Sequence, residues 1–150
     1  MRKNQILGQY ARMWPRGVFH RLAEQKKGLP QGRKSGPKQL YKEIELLKEP
    51  GVYVLYRDTV PYYVGQAQKL RLRLYEHACV ADSRYYNFWN FFSAFVVKDP
   101  DIRTEIEGIL IASMPTANSA RPKIKRESLP PSVRRMIREI EQKRANPHAR

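Results

Sequence analysis

Residues 51–65 read GVYVLYRDTVPYYVG, and this stretch restricts the fold more than any other. Two runs rich in Val and Tyr flank a polar Arg57-Asp58-Thr59, the pattern of an antiparallel hairpin with strands over 52–56 and 62–64. Each strand carries a tyrosine in a glycine-ended tripeptide: Gly51-Val52-Tyr53 on the first and Tyr63-Val64-Gly65 on the second. Tyr and Val are ordinary strand residues, so either tripeptide alone says little. Directly opposite side chains on paired strands stand about 4.5–5.5 Å apart. The hairpin is therefore expected to set the two phenols side by side.

The flanking text supplies the remaining elements. Leu40, Ile44 and Leu47 recur at helical spacing and predict a lead-in helix over 40–48, stopped by Pro50-Gly51. Residues 67–78, AQKLRLRLYEHA, predict a second helix with a stripe of Leu70, Leu74 and Ala78. NFWNFFSAFVV supplies a third strand, expected over 93–97. Asp99-Pro100 is a helix start, cap followed by proline at the first helical position. That helix runs to about Met114 with Ile102, Ile106, Ile109 or Leu110, and Met114 inward, and Pro115 ends it. Pro130-Pro131 open a last helix over 132–144. Its apolar face of Val133, Met136, Ile137 and Ile140 either packs on the core or pairs with a second copy, so a homodimer is one expectation. The expected fold is α+β, a small three-stranded, mostly antiparallel sheet with helices covering one side, in the order strand, strand, helix, strand, helix. Residues 50–120 are the expected core, with a basic arm and lead-in helix over 1–49 and a basic loop and amphipathic helix over 121–150.

Charge separates these regions. The formal net charge is +15, yet residues 51–120 carry seven basic and seven acidic side chains. The excess lies in the flanks, net +8 over residues 1–50 and +7 over 121–150. A neutral domain with basic arms is built to meet a polyanion, and clustered Lys and Arg gain affinity for nucleic acid by releasing counterions from phosphates. A membrane surface would require Trp, Phe or Leu massed on one face of a basic helix, which neither flank shows. Cys79 stands alone, which excludes an internal disulfide and Cys-rich zinc modules and suits a reducing compartment. No apolar run approaches the ~18–20 residues of a membrane span, so the chain is expected to be intracellular.

The hairpin, then QAQKLRLRLYEH, then EIEGILIASMPTAN together resemble the GIY-YIG nuclease family over about residues 50–118. The two tripeptides stand where the family's name-giving tripeptides stand, with Val in place of Ile in both. Arg73 falls eight residues after Gly65, where the family carries an arginine, and His77 follows one helical turn later. Glu107, Ile111, Pro115 and Asn118 fit the family's metal-binding glutamate helix and the P-x-x-N after it. The glutamate-to-proline interval is about one residue shorter than in some members. The resemblance implies phosphodiester cleavage with one divalent metal, Mg²⁺ or Mn²⁺, and DNA as substrate. It also implies that Tyr53, Tyr63, Arg73, His77, Glu107 and Asn118 form the site, with Glu107 as metal ligand.

Those residue types suit the reaction. Hydrolysis needs an activated water, neutralisation of the phosphate charge and help for the leaving oxygen. A phenol held near a cation is a candidate base, and by analogy Tyr53 is favoured as base or water-orienting group with Tyr63 supporting it. Arg73 offers a planar fork of donors to phosphate. His77, on the same helix face, is a proton shuttle or phosphate ligand. A single carboxylate plus waters and substrate phosphate is a normal Mg²⁺ arrangement. Glu105 is the rival to Glu107; the two point about 200° apart on a helix and cannot share the site.

Substrate contact is expected from the flanks and the first core helix: Arg12, Arg16, Arg21, Lys26, Lys27, Arg33, Lys34, Lys69, Arg71, Arg121, Lys123, Lys125 and Arg126. Tyr10 and Trp14 either stack on bases or pack the arm to the core. Charge does not separate DNA from RNA, and a non-catalytic nucleic-acid-binding module is the second reading.

Overall fold

The computed structural model describes residues 6–22, 38–83, 85–118 and 122–147, with only the backbone at 21, 22, 38 and 39. The elements in chain order are β1 (Tyr10–Pro15), β2 (Arg21–Leu22), β3 (Lys38–Gln39), β4 (Gly51–Arg57), β5 (Val60–Ala67), α1 (Leu70–Cys79), β6 (Phe91–Val96), α2 (Pro100–Ser113) and α3 (Pro131–Ala145). The fold is α+β. Its main sheet has the order β1-β6-β4-β5 with every pairing antiparallel, and β2 and β3 form a separate ribbon.

The sheet has four strands, one more than expected. The extra strand is β1, in the segment expected as a short helix or an ordered arm. Its alternation is broken by a bulge between Ala11 and Trp14. Met13 there has a left-handed backbone (φ 52°), and its amide donates to the buried Ser93 hydroxyl at 3.1 Å. Such a bulge hides a strand from a period-two reading. Trp14 packs edge-on against Phe92 and Tyr10 stacks on Phe95, so both anchor the arm, although Tyr10 remains 67% exposed.

The lead-in segment is not the α-helix expected over 40–48. It forms two 3-10 turns, Leu40–Glu43 and Glu45–Lys48, separated by Ile44 in an extended conformation. The break lets Tyr41, Leu46 and Leu47 all reach the core, which one straight helix face would not allow.

Helices cover both faces of the sheet, not one side. Gly51 to Leu55 of β4 are all buried, as an apolar run with a layer on each side must be. Tyr53 and Leu55 face Leu70 and Leu74 of α1, together with Phe92, Phe19 and Leu47. Val52, Val54 and Val64 face Ile102, Ile106, Leu110, Ile111 and Met114 of α2. Asp99 caps α2, its carboxylate accepting from the Asp101 and Ile102 amides at 2.9 and 3.1 Å, with Pro100 in the first turn. The last helix, α3, is exposed along its whole length; Val133, Met136, Ile137 and Ile140 are 39–60% exposed and belong to neither core cluster of the described residues.

Candidate active site

The β4–β5 register decides how the two tyrosines meet. Tyr53 pairs with Gly65, and Tyr63 pairs with Leu55. The phenols are therefore diagonal neighbours on one face, not directly opposite as expected, with ring centroids 6.2 Å apart. The space opposite Tyr53 is filled by its own ring. A Cβ at Gly65 would collide with the Tyr53 ring and hydroxyl, and one at Gly51 would strike the Phe95 backbone of β6. The glycine of each tripeptide is thus a packing requirement of the hairpin.

Tyr53 has no exposed surface. Its hydroxyl lies 2.8 Å from His77 Nε2, and His77 Nδ1 lies 3.3 Å from the Ser83 hydroxyl. Burial, then the neighbouring Tyr63, push the Tyr53 pKa far up despite the opposing pull of Arg73. Burial and the Arg73 charge lower the His77 pKa to about 4. With both groups neutral, two pairings fit: Tyr53 O–H donates to Nε2 while Nδ1–H donates to Ser83, or Nε2–H donates to the Tyr53 oxygen while the Ser83 hydroxyl donates to Nδ1. His77 is 3% exposed and ringed by Tyr53, Tyr63 and Tyr85. At that depth it is placed to orient Tyr53 and presents almost no surface to a phosphate.

Tyr63 is half-buried and lines an open cavity of about 660 Å³ together with Glu107, Asn118 and Lys123. Its pKa is raised by burial, with Tyr85 adding to the shift and Arg73 opposing it. Glu107 reaches this cavity from the other face of the sheet, and Gln66 of β5 donates to its Oε2 at 2.5 Å. The site therefore straddles the edge strand: Tyr63 and Gly65 on the α1 face, Val64 and Gln66 on the α2 face. Glu105 is exposed and lines the same cavity, so the cavity does not keep the two glutamates apart as expected; the half-buried Glu107 is the one that Gln66 holds. Burial raises the Glu107 pKa, and the Gln66 hydrogen bond offsets this only in part. Arg73, about half exposed, donates to Glu76 Oε2 at 2.8 Å.

Asn118 lines the cavity beside Tyr63 and Glu107, but its side-chain hydrogen bonds go to the backbone of β5 and to the Thr116 hydroxyl. Its Oδ1 accepts from the Val64 amide at 3.0 Å, and its Nδ2 donates to the Val64 carbonyl at 2.7 Å. Ala117 donates to the Tyr62 carbonyl at 2.7 Å. The loop after α2 thus closes the outer edge of β5 as a neighbouring strand would.

Glu107 fits a divalent cation. A half-buried carboxylate whose burial is uncompensated by positive charge gains most from one, and a lone carboxylate with solvent space beside it is a Mg²⁺-type donor set. No group of three His, Cys, Asp or Glu side chains able to hold a metal occurs among the described residues.

Among the expected substrate contacts, Arg12, Lys69, Lys123 and Arg126 are exposed, and Lys125 pairs with Glu127 at 2.6 Å. Arg71 is half-buried with an unpaired Nε. Arg16 is engaged in the fold: it donates to the Ala78 and Trp89 carbonyls at 2.6 and 3.3 Å and to Asn87 Oδ1 at 3.1 Å, lying over the Tyr86 and Trp89 rings. Lys26, Lys27, Arg33, Lys34, Arg121 and the Arg21 side chain lie outside the described residues.

Gln66 and Tyr85 are missing from the sequence-based set. Gln66 carried a usable signal, a polar residue two positions from Val64 on the helix-covered face. Tyr85 carried none, lying in a loop text, ADSRYYN, without periodicity.

Both tripeptides, the Arg73/His77 turn and the Glu107 helix thus surround one strand edge. The arrangement is GIY-YIG-like. Solved structures similar to the chain include the GIY-YIG N-terminal endonuclease domain of UvrC from Thermotoga maritima. An asparagine-to-alanine point mutant of that domain, bound to its catalytic divalent cation, is 23% identical and covers 56% of this chain and 99% of that one, with a TM-score of 0.45. The magnesium-bound domain is 26% identical over 50% of this chain and 90% of its own, with a TM-score of 0.40. No protein-family model matches the sequence, and no curated protein matches it significantly. No helix among the described residues is long and apolar enough to cross a membrane.

Proposed function

We propose that the chain is a metal-dependent endonuclease of GIY-YIG type that hydrolyses phosphodiester bonds in DNA. One observation carries this reading: Tyr63 and Glu107, from opposite faces of β5, meet at the wall of one open cavity. Glu107 would hold the divalent cation, Mg²⁺ or Mn²⁺, with one carboxylate oxygen, while Gln66 fixes the other. The cation, when bound, acidifies water and neutralises phosphate charge. Tyr63, open to the cavity, takes the role first favoured for Tyr53: its oxygen accepts a hydrogen bond from the attacking water and aims it. With its pKa raised, Tyr63 is a neutral phenol at pH 7 and becomes a base only where added positive charge lowers that value. Tyr53, fixed by His77, props Tyr63 from beneath and excludes water from that side. Arg73 retains donors beyond its Glu76 bond for the phosphate in flight. Asn118 holds β5 at the distance from α2 that brings Gln66 to Glu107. The basic flanks supply affinity.

Supercoiled plasmid tests the reading. Nicked or linear product is expected with Mg²⁺, none with EDTA, and none with a Glu107→Ala variant that still binds DNA. Wild type that binds yet spares duplex, single-stranded DNA and RNA alike would replace an enzyme with a binding module.

A further inference from the structure

A bulge in β5 sets Tyr62 apart. Leu55 pairs with Tyr63 and Tyr56 with Pro61, leaving Tyr62 as the extra residue. Consecutive strand residues point to opposite faces, but a bulge re-aims a side chain. Here both tyrosines meet the same ring: Tyr63 stacks on Tyr85 at 4.1 Å, and Tyr62 meets Tyr85 edge-on at 6.1 Å. Tyr62 then stacks on Phe88, centroids 5.9 Å apart and planes within 10°. Phe88 is 48% exposed, so an aromatic shelf runs unbroken from Tyr63 to solvent.

Its outer member is held out by the fold. Asn87, just before Phe88, has a left-handed backbone (φ 66°), and Arg16 ties the Asn87 side chain and the Trp89 carbonyl to the end of α1. Phe88 is thus half exposed on a turn fixed at both sides, and its ring, stacked on Tyr62, presents its free surface to solvent. The shelf adjoins a site read here as acting on nucleic acid, in a chain of net charge +15. Flat rings beside a phosphodiester site are the platform on which unpaired bases stack.

We propose that Phe88 and Tyr62 form a stacking subsite for an unpaired nucleobase of the substrate strand next to the cleaved phosphate. The enzyme would then favour single-stranded or locally opened DNA over continuous duplex. The inference rests on the nucleic-acid reading above, but its test needs no catalysis.

The test is binding in EDTA of a mixed-sequence single-stranded DNA oligonucleotide, the matching duplex and an abasic strand of equal length, read by fluorescence anisotropy. Phe88→Ala and Phe88→Leu are expected to weaken single-strand binding about tenfold, in line with the loss of one stacked base. Duplex and abasic-strand binding should stay unchanged, and Phe88→Trp should retain the wild-type preference. Phe88→Leu keeps the apolar volume, so a fold defect in the alanine variant does not hide the result. Equal losses on all three ligands, or none on the single strand, would overturn the subsite. Either result leaves the nuclease reading to the plasmid assay.

Discussion

Tyr53 and Gly65 explain each other. The tyrosine ring occupies the volume that any side chain at 65 would claim, so the hairpin needs glycine opposite its buried phenol. Gly65→Ala is expected to destabilise the fold by about 1–3 kcal/mol, the usual cost of overpacking a rigid core, read as a lower urea midpoint at unchanged m-value. His77 gives a second residue-scale prediction. Its pKa falls from 6.5 to about 4 on folding, chiefly through burial and then through Arg73. Below about pH 6.5 the unfolded chain binds a proton that the folded chain refuses until about pH 4. This group therefore makes stability fall as pH drops through that window. His77→Gln removes the term, so between pH 7 and pH 5 the Tm of the variant should fall less than that of wild type. Parallel slopes would mean the imidazole is not held neutral. At this scale the candidate set of Tyr53, Tyr63, Arg73, His77 and Glu107 could be drawn from the sequence, because these residues lie at motif spacings. The different placement of the two tyrosines was not legible, since it follows from a register that offsets them by two residues and leaves Tyr63, not Tyr53, at the cavity.

Among the elements, β5 does the most to organise the site. It is an edge strand whose outer groups at Val64 are taken by Asn118, and its two faces carry Tyr63 on one side and Gln66, which binds Glu107, on the other. The hairpin, α1 and α2 were readable because a continuous apolar run, a leucine stripe and an Asp-Pro cap each leave a local pattern. Strand β1 was not, because the bulge at Met13 breaks its alternation and its lysine- and arginine-rich surroundings read as a tether. The 40–48 segment was misleading for a different reason: three apolar residues at helical spacing are also compatible with two 3-10 turns that bury Tyr41 and Leu47. Arg16 shows how charge alone misassigns a role. It was expected on phosphate and instead binds two carbonyls, Asn87 and two aromatic rings. Arg16→Ala is expected to cost about 1–3 kcal/mol, from carbonyls left without their charged donor, while the slope of log K for DNA against log salt concentration stays that of wild type. A slope reduced by about one, with unchanged Tm, would return Arg16 to the phosphate-binding set.

At the scale of the whole molecule, a neutral two-faced core carries the candidate chemistry and basic extensions carry most of the charge. The helix α3 keeps its apolar face exposed and its charged face in solvent, so it adds charge to the molecule and nothing to the core. What joins these levels is the claim that Glu107 holds a divalent cation at the edge of β5, across the cavity from Tyr63. The most direct measurement is anomalous diffraction from crystals soaked in Mn²⁺, with wild type beside Glu107→Gln. The account predicts one strong peak within about 2–2.5 Å of a Glu107 carboxylate oxygen, absent in the variant. A peak elsewhere, or a Glu107 peak that survives the substitution, would contradict it.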